Sequence, residues 1–239
     1  MTRFTGILNS CGSMTFSTQI APSVDIPEGS QAVIDEFVRR NSCGTFVLLE
    51  GGADIDPAIY GEKNTHSHVS VYSRARDTHE RRVIDAALKN DVPIFGICRG
   101  HQLLAAHLGG KLYQDIGIET GVSHSATHYV KTFGIFHDFR PDARVNSYHH
   151  QAVKKLPTDA LEVATYVRMG SSGERISVNE AIIYPGDKYP VPMFSTQWHP
   201  EFMGDEELVD WVVETLFGFD VLDRSDLNFT SDDSLYYVW

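Results

Sequence analysis

Apolar positions recur along this chain in two rhythms, and their succession defines a fold before any motif is read. Phe4 to Leu8 is a short apolar run that predicts a first strand, followed by a polar stretch broken by Gly and Pro through Gly29. Ser30 then suits an N-cap, and Val33 with Phe37 and Ile34 with Val38 repeat at four-residue spacing, which predicts an amphipathic helix ending near Asn41. Thr45 to Leu49 is β-branched and aliphatic and runs into Gly51-Gly52, the pattern of a buried strand feeding a tight turn. Asp54 to Ser73 has little periodicity and reads as a loop. A second helix is expected from Thr78 to Lys89, with Val83, Ile84, Ala87 and Leu88 on one face, followed by the apolar strand Val92 to Ile97. A third helix, Arg99 to Leu108, carries Leu103, Leu104 and Leu108 and stops at Gly109-Gly110.

Val122 to Ser147 shows no clear period, whereas Leu161 to Val167, Ile176 to Tyr184 and Val191 to Trp198 read as strands. Asp205 to Phe217 is the last helix, with Leu208, Val212 and Leu216 on one stripe and Val209, Val213 and Phe217 on the next. Continuous apolar strands between amphipathic helices predict an α/β fold, an open and mostly parallel sheet with helices on both faces. Residues 1–220 read as one domain. Residues 221–239 form an acidic tail with Phe229, Tyr236, Tyr237 and Trp239, either solvated or docked through these aromatics.

Composition narrows the function. With 20 basic and 32 acidic residues the net charge is −12, which excludes a protein built to grip nucleic acid. No apolar run reaches membrane-spanning length and the N-terminus lacks a signal-peptide core, so a cytoplasmic protein without a membrane partner is expected. Cys11, Cys43 and Cys98 are odd in number and lack CxxC spacing, which suits a reducing compartment and leaves at least one thiol free.

In open α/β sheets ligands bind at the carboxyl ends of strands, which directs attention to Gly51-Gly52 and to Ile97-Cys98. Gly96-Ile97-Cys98-Arg99-Gly100 has the form G-x-nucleophile-x-G between a strand and a helix, the arrangement of a nucleophile elbow. A helix start favours the thiolate, and the Arg99 N–H would face an oxyanion. In Gln197-Trp198-His199-Pro200-Glu201, residues two apart in extended backbone share a side. Glu201 can therefore orient His199 while the other ring nitrogen faces Cys98, the nucleophile, base and orienter logic of a triad. Cys11 and Cys43 are left as packing residues. His66 and His68, His124 with His128, and His149-His150 can each be drawn as metal ligands, but none lies in a recognised ligand motif, so no metal or cofactor is expected.

Gly96 to Gln102 together with Gln197 to Glu201 resembles the class I glutamine amidotransferase superfamily, whose glutaminase domains use a Cys-His-Glu triad. Further segments resemble its free-standing γ-glutamyl hydrolase branch, the peptidase C26 group typified by γ-glutamyl-γ-aminobutyrate hydrolase. These are Leu49 to Pro57 with Tyr60-Gly61-Glu62, Arg76-Asp77 with Glu80, Leu108-Gly109-Gly110, and Val145 to Ala152. Glu50 stands where the family usually has Pro, and the stretch from Gly110 to Asn146 is short for the branch. The resemblance implies Cys98 as nucleophile, His199 as general acid and base, and Glu201 as its orienter. It implies Gly52 and Arg99 as backbone oxyanion donors, and Gln102, Tyr148, His149, His150 and Gln151 as holders of the glutamyl head. The implied reaction is hydrolysis of a γ-glutamyl amide through a thioester on Cys98. The alternative is a glutaminase subunit that delivers ammonia to a separate synthase, and a second copy of the chain is the other partner left open.

Overall fold

The computed structural model describes residues 2–10, 21–66, 72–122, 124, 126–169 and 173–220, so that Cys11, His68 and the tail 221–239 lie outside the described residues. In chain order the elements are β1 (Thr2–Arg3), β2 (Gly6–Asn9), β3 (Ser23–Asp25), α1 (Gln31–Arg40), β4 (Thr45–Leu49), α2 (Arg74–Lys89), β5 (Ile94–Ile97) and α3 (Arg99–His107). Then follow β6 (Lys111–Tyr113), α4 (Ile116–Thr120), β7 (His128–Thr132), α5 (Gly134–Phe139), β8 (Asp142–Val145) and β9 (Ala152–Lys155). The last are β10 (Leu161–Met169), β11 (Arg175–Tyr184), β12 (Met193–Thr196), α6 (Glu206–Trp211) and β13 (Phe219–Asp220).

Nine strands form one sheet in the order β3-β2-β4-β5-β12-β11-β10-β7-β8. From β3 to β12 all neighbours are parallel, and from β12 to β8 all are antiparallel. The α/β sheet expected from the apolar runs is thus present, and its parallel half carries Cys98 at the end of β5. Both faces are covered, which is why β4 is apolar at every position after Thr45. Val47 and Leu49 pack with Ile34, Val38, Val83, Ile84 and Leu103 under α1, α2 and α3, while Phe46 and Leu48 pack with Phe136, Leu208 and Val212 on the opposite face. Among the described residues no helix is long and apolar enough to cross a membrane.

Three expectations are corrected. The second helix begins at Arg74, four residues before Thr78, with the Ser73 hydroxyl accepting from Arg76 N. Its first turn is polar, with Arg74 exposed and Asp77 buried against Arg99, which apolar periodicity does not register. The last helix is regular only through Trp211; a wider turn over Val212–Leu216 follows, closed by Phe217 N donating to Val212 O across five residues. Cys43 is exposed in the turn between α1 and β4, so it is not the packing residue expected.

Candidate active site

The turn from β5 into α3 holds Cys98 at φ 50° and ψ −100°, outside the relaxed regions for a residue with a side chain. Glycines on either side make this turn fit. A Cβ on Gly96 would lie 2.9 Å from the Gly100 backbone, and one on Gly100 would lie 2.0 Å from Leu49 O. The first intrahelical bond runs from Gln102 N to Cys98 O, so the Arg99 N–H opens the helix with no carbonyl a turn earlier to accept it.

His199 reaches Cys98 from the end of β12. Its Nδ1 lies 2.6 Å from Glu201 Oε1, and the ring hydrogen-bonds the Cys98 side chain. Burial by itself would lower the His199 pKa, but the bonds to Cys98 and Glu201 prevail and raise it to about 10. The backbone of His199 is clamped by one side chain: its N–H donates to Asn146 Oδ1 at 2.8 Å, and Asn146 Nδ2 donates to its carbonyl at 2.7 Å. Phe202 stacks on the His199 ring with centroids 4.9 Å apart, and exposed Tyr148 meets it edge-on at 5.9 Å.

A buried ionic core supports the Gly51-Gly52 turn. Arg76 Nη2 donates to Glu50 O at 3.2 Å and to Gly51 O at 2.9 Å, while Arg76 Nε pairs with Glu80 at 3.0 Å. Arg99, 1% exposed, pairs with Asp77 and Glu80, and Ser10 Oγ also donates to Glu80. Gly51 lets the histidine approach, since a Cβ there would lie 2.7 Å from His199 Cε1. Gly52 at φ 154° would place a Cβ 2.1 Å from Arg76 Nη1. Gly52→Ala is therefore expected to strain the turn, push Arg76 off it and displace its N–H groups, lowering the turnover of a γ-glutamyl amide by roughly a hundredfold and lowering Tm as well. Steady-state kinetics beside a melting curve check this.

The residues expected to hold a substrate head fall into two groups. Tyr148 stays at the rim, and His150 bridges two loops, with Nε2 at 2.9 and 3.1 Å from the Asp54 carboxylate and Nδ1 3.3 Å from Asp115. Hydrogen bonding to Asp54 outweighs burial and raises the His150 pKa to about 8. Gln102 and Gln151 are buried, and Gln102 Nε2 donates both to Gln151 O and to Gln197 Oε1, each at 3.1 Å. Gln197 Nε2 in turn donates to Cys98 Sγ at 3.7 Å. His149 turns inward, its Nδ1 bonded to Gln151 O at 2.8 Å and its ring against His124. Asn146 and Gln197 are contacts that the motifs contain but that spacing alone does not mark. Both act on backbone or sulfur across at least 53 residues of sequence.

A strained cysteine at a strand-to-helix turn, a histidine with a carboxylate behind it and a glycine turn alongside define an α/β protein of the glutamine amidotransferase-like class. The chain belongs to the Peptidase C26 family, whose model matches residues 44–201. It is 34% identical over 209 residues to Protein NtpR of Enterococcus hirae, covering 82% of this chain and 79% of that one. It is 29% identical over 182 residues to the putative glutamine amidotransferase-like protein YvdE of Lactococcus lactis, covering 72% of each. Its fold matches the crystal structure of a putative GMP synthase subunit from Thermoplasma acidophilum, with a TM-score of 0.55 at 16% identity over 89% of this chain and 94% of that one.

Proposed function

We propose that the chain is a cysteine hydrolase that cleaves the γ-amide of a γ-glutamyl compound. The observation that carries the reading is the strained Cys98 at the head of α3, bonded to a His199 that is itself bonded to Glu201. A His199 that keeps its proton to about pH 10 leaves the neighbouring sulfur paired with an imidazolium. Cys98 Sγ attacks the γ-carbonyl, and the charge that forms on oxygen meets the N–H groups of Arg99 and Gly52. His199 passes its proton to the departing amine, leaving a γ-glutamyl thioester on Cys98. Water, deprotonated by the now neutral His199, attacks the thioester, and collapse releases glutamate and the thiolate. Membership of a peptidase family favours a free-standing hydrolase over a subunit feeding ammonia to a synthase.

The deciding experiment incubates the purified protein with glutamine and with a panel of γ-glutamyl amines, measures free glutamate, and follows the intact mass for a γ-glutamyl adduct. Turnover of at least one γ-glutamyl amine without a second protein supports the reading. Inertness on every amine, with activity on glutamine appearing only when a partner is added, overturns it.

The pH profile provides an independent check. The thiol step needs protonated His199, so the alkaline limb of kcat/KM is expected near pH 10, and activity falls as pH rises through it. Glu201→Gln removes one of the two contacts that raise this value, so the limb moves to lower pH. An unmoved limb in that variant would count against the role of Glu201.

A further inference from the structure

Beneath the Tyr148 to Gln151 loop the structure gathers ionisable side chains that the thiol chemistry does not use. Glu180 in β11 is fully buried, and one of its oxygens, Oε1, lies 2.7 Å from His124 Nε2 and 3.2 Å from His128 Nε2. One ligand atom from each of these three residues lies within 4.8 Å of the others. Tyr166 covers both rings at 4.8 and 4.4 Å between centroids, and His149 meets the His124 ring edge-on at 4.8 Å.

The far nitrogens orient the rings. His128 Nδ1 lies 2.9 Å from Ala126 O, and a carbonyl only accepts, so that nitrogen bears a proton and Nε2 is turned toward Glu180. His149 Nδ1 donates to Gln151 O in the same manner, which leaves its Nε2 buried without a partner. Glu180 Oε2 is also buried without one. Glu180 Oε1 thus has two imidazole Nε2 atoms converging on it, and His149 Nε2 and Glu180 Oε2 add two buried polar atoms beside them that nothing in the protein satisfies. A backbone carbonyl holding the remote N–H is also how metal-binding imidazoles are aimed.

We propose that His124, His128 and Glu180 bind one divalent transition-metal ion of the zinc type, a structural site separate from the thiol chemistry. Two imidazole nitrogens and a carboxylate oxygen form a donor set suited to zinc. The separations of 2.7 and 3.2 Å widen, and the remaining one, within 4.8 Å, closes, toward the roughly 3.3 Å that tetrahedral ligands keep around zinc. The ion ties β7 and β11 to the segment bearing His124, whose carbonyl accepts from Ser147 Oγ at 2.6 Å, beside the Asn146 clamp on His199. Its binding stiffens the wall of the site without touching substrate, and it does not depend on which amide the enzyme cleaves.

The test is titration of chelator-treated, dialysed full-length protein with zinc chloride and with cobalt chloride, followed by calorimetry, the visible spectrum of the cobalt form and Tm. One equivalent per chain, a cobalt spectrum of low coordination number and a higher Tm are expected. Because Glu180 lies in the core, His128→Gln, nearer the surface, is the variant paired with Glu180→Gln; each is expected to weaken zinc binding by roughly a hundredfold or more. Absence of saturable one-to-one binding by the wild type overturns the proposal. So does zinc binding of undiminished affinity in a folded His128→Gln protein, which would place the ion on other histidines.

Discussion

Cys98→Ala is expected to abolish turnover of γ-glutamyl amides, with kcat falling by roughly a millionfold, while the protein stays folded. Loss of this scale follows because nucleophile and base act as one unit: without the sulfur there is no thioester, and His199 has nothing to activate toward the amide. Alanine retains a Cβ and so retains the strain of φ 50° and ψ −100°. Cys98→Gly removes both the sulfur and the strain, and is expected to be more stable than the alanine variant by about 1 kcal/mol. The two variants together separate the cost of the turn from its use. Turnover in either variant at the wild-type rate would refute the thioester route, and a glycine variant no more stable than alanine would mean the turn stores no strain. Measurement needs only glutamate release, intact mass after substrate addition, and paired urea melts.

The parallel half of the sheet was legible because its strands are buried on both faces and its helices on one. Thr45 to Leu49 and the Ile34/Val38 and Val83/Ala87 pairs state this without help from tertiary structure. The antiparallel edge was harder to read. In β7 only Val130 and Thr132 are buried, and His128 is there for Glu180 and not for apolar packing. Cys98, His199 and Glu201 were legible since each lies in a short motif beside a strand end. Polar burial was less so. Arg76, Asp77 and Glu80 are marked by the resemblance, but their burial shows only when Arg99 and Ser10 arrive from other elements. Likewise, Glu180 stands 56 residues from His124 in sequence, beyond any local ligand pattern.

Arg99→Met is expected to be the most destabilising single change at the site. The side chain is 1% exposed and pairs with Asp77 and Glu80, themselves 3% and 0% exposed, so methionine fills the space but leaves buried carboxylates short of a cation. Removing one partner of such a buried pair costs about 3–5 kcal/mol, much more than the intact pair contributes. For a domain of this size that is on the order of 10 °C in Tm. Arg76 remains on Glu80, and Asp56 N still donates to Asp77 Oδ2 at 3.1 Å, so the deficit falls mainly on Asp77. Burial already pushes the Asp77 pKa up, and losing Arg99 removes an opposing influence. The penalty should therefore shrink as pH falls, because protonated Asp77 no longer carries an uncompensated charge. Adding Asp77→Asn to Arg99→Met should recover part of the lost stability at neutral pH. The Arg99 N–H belongs to the backbone and survives the substitution, so kcat per folded molecule should change far less than Tm. A variant that melts like the wild type yet turns over no substrate would instead place the guanidinium in contact with the reacting groups.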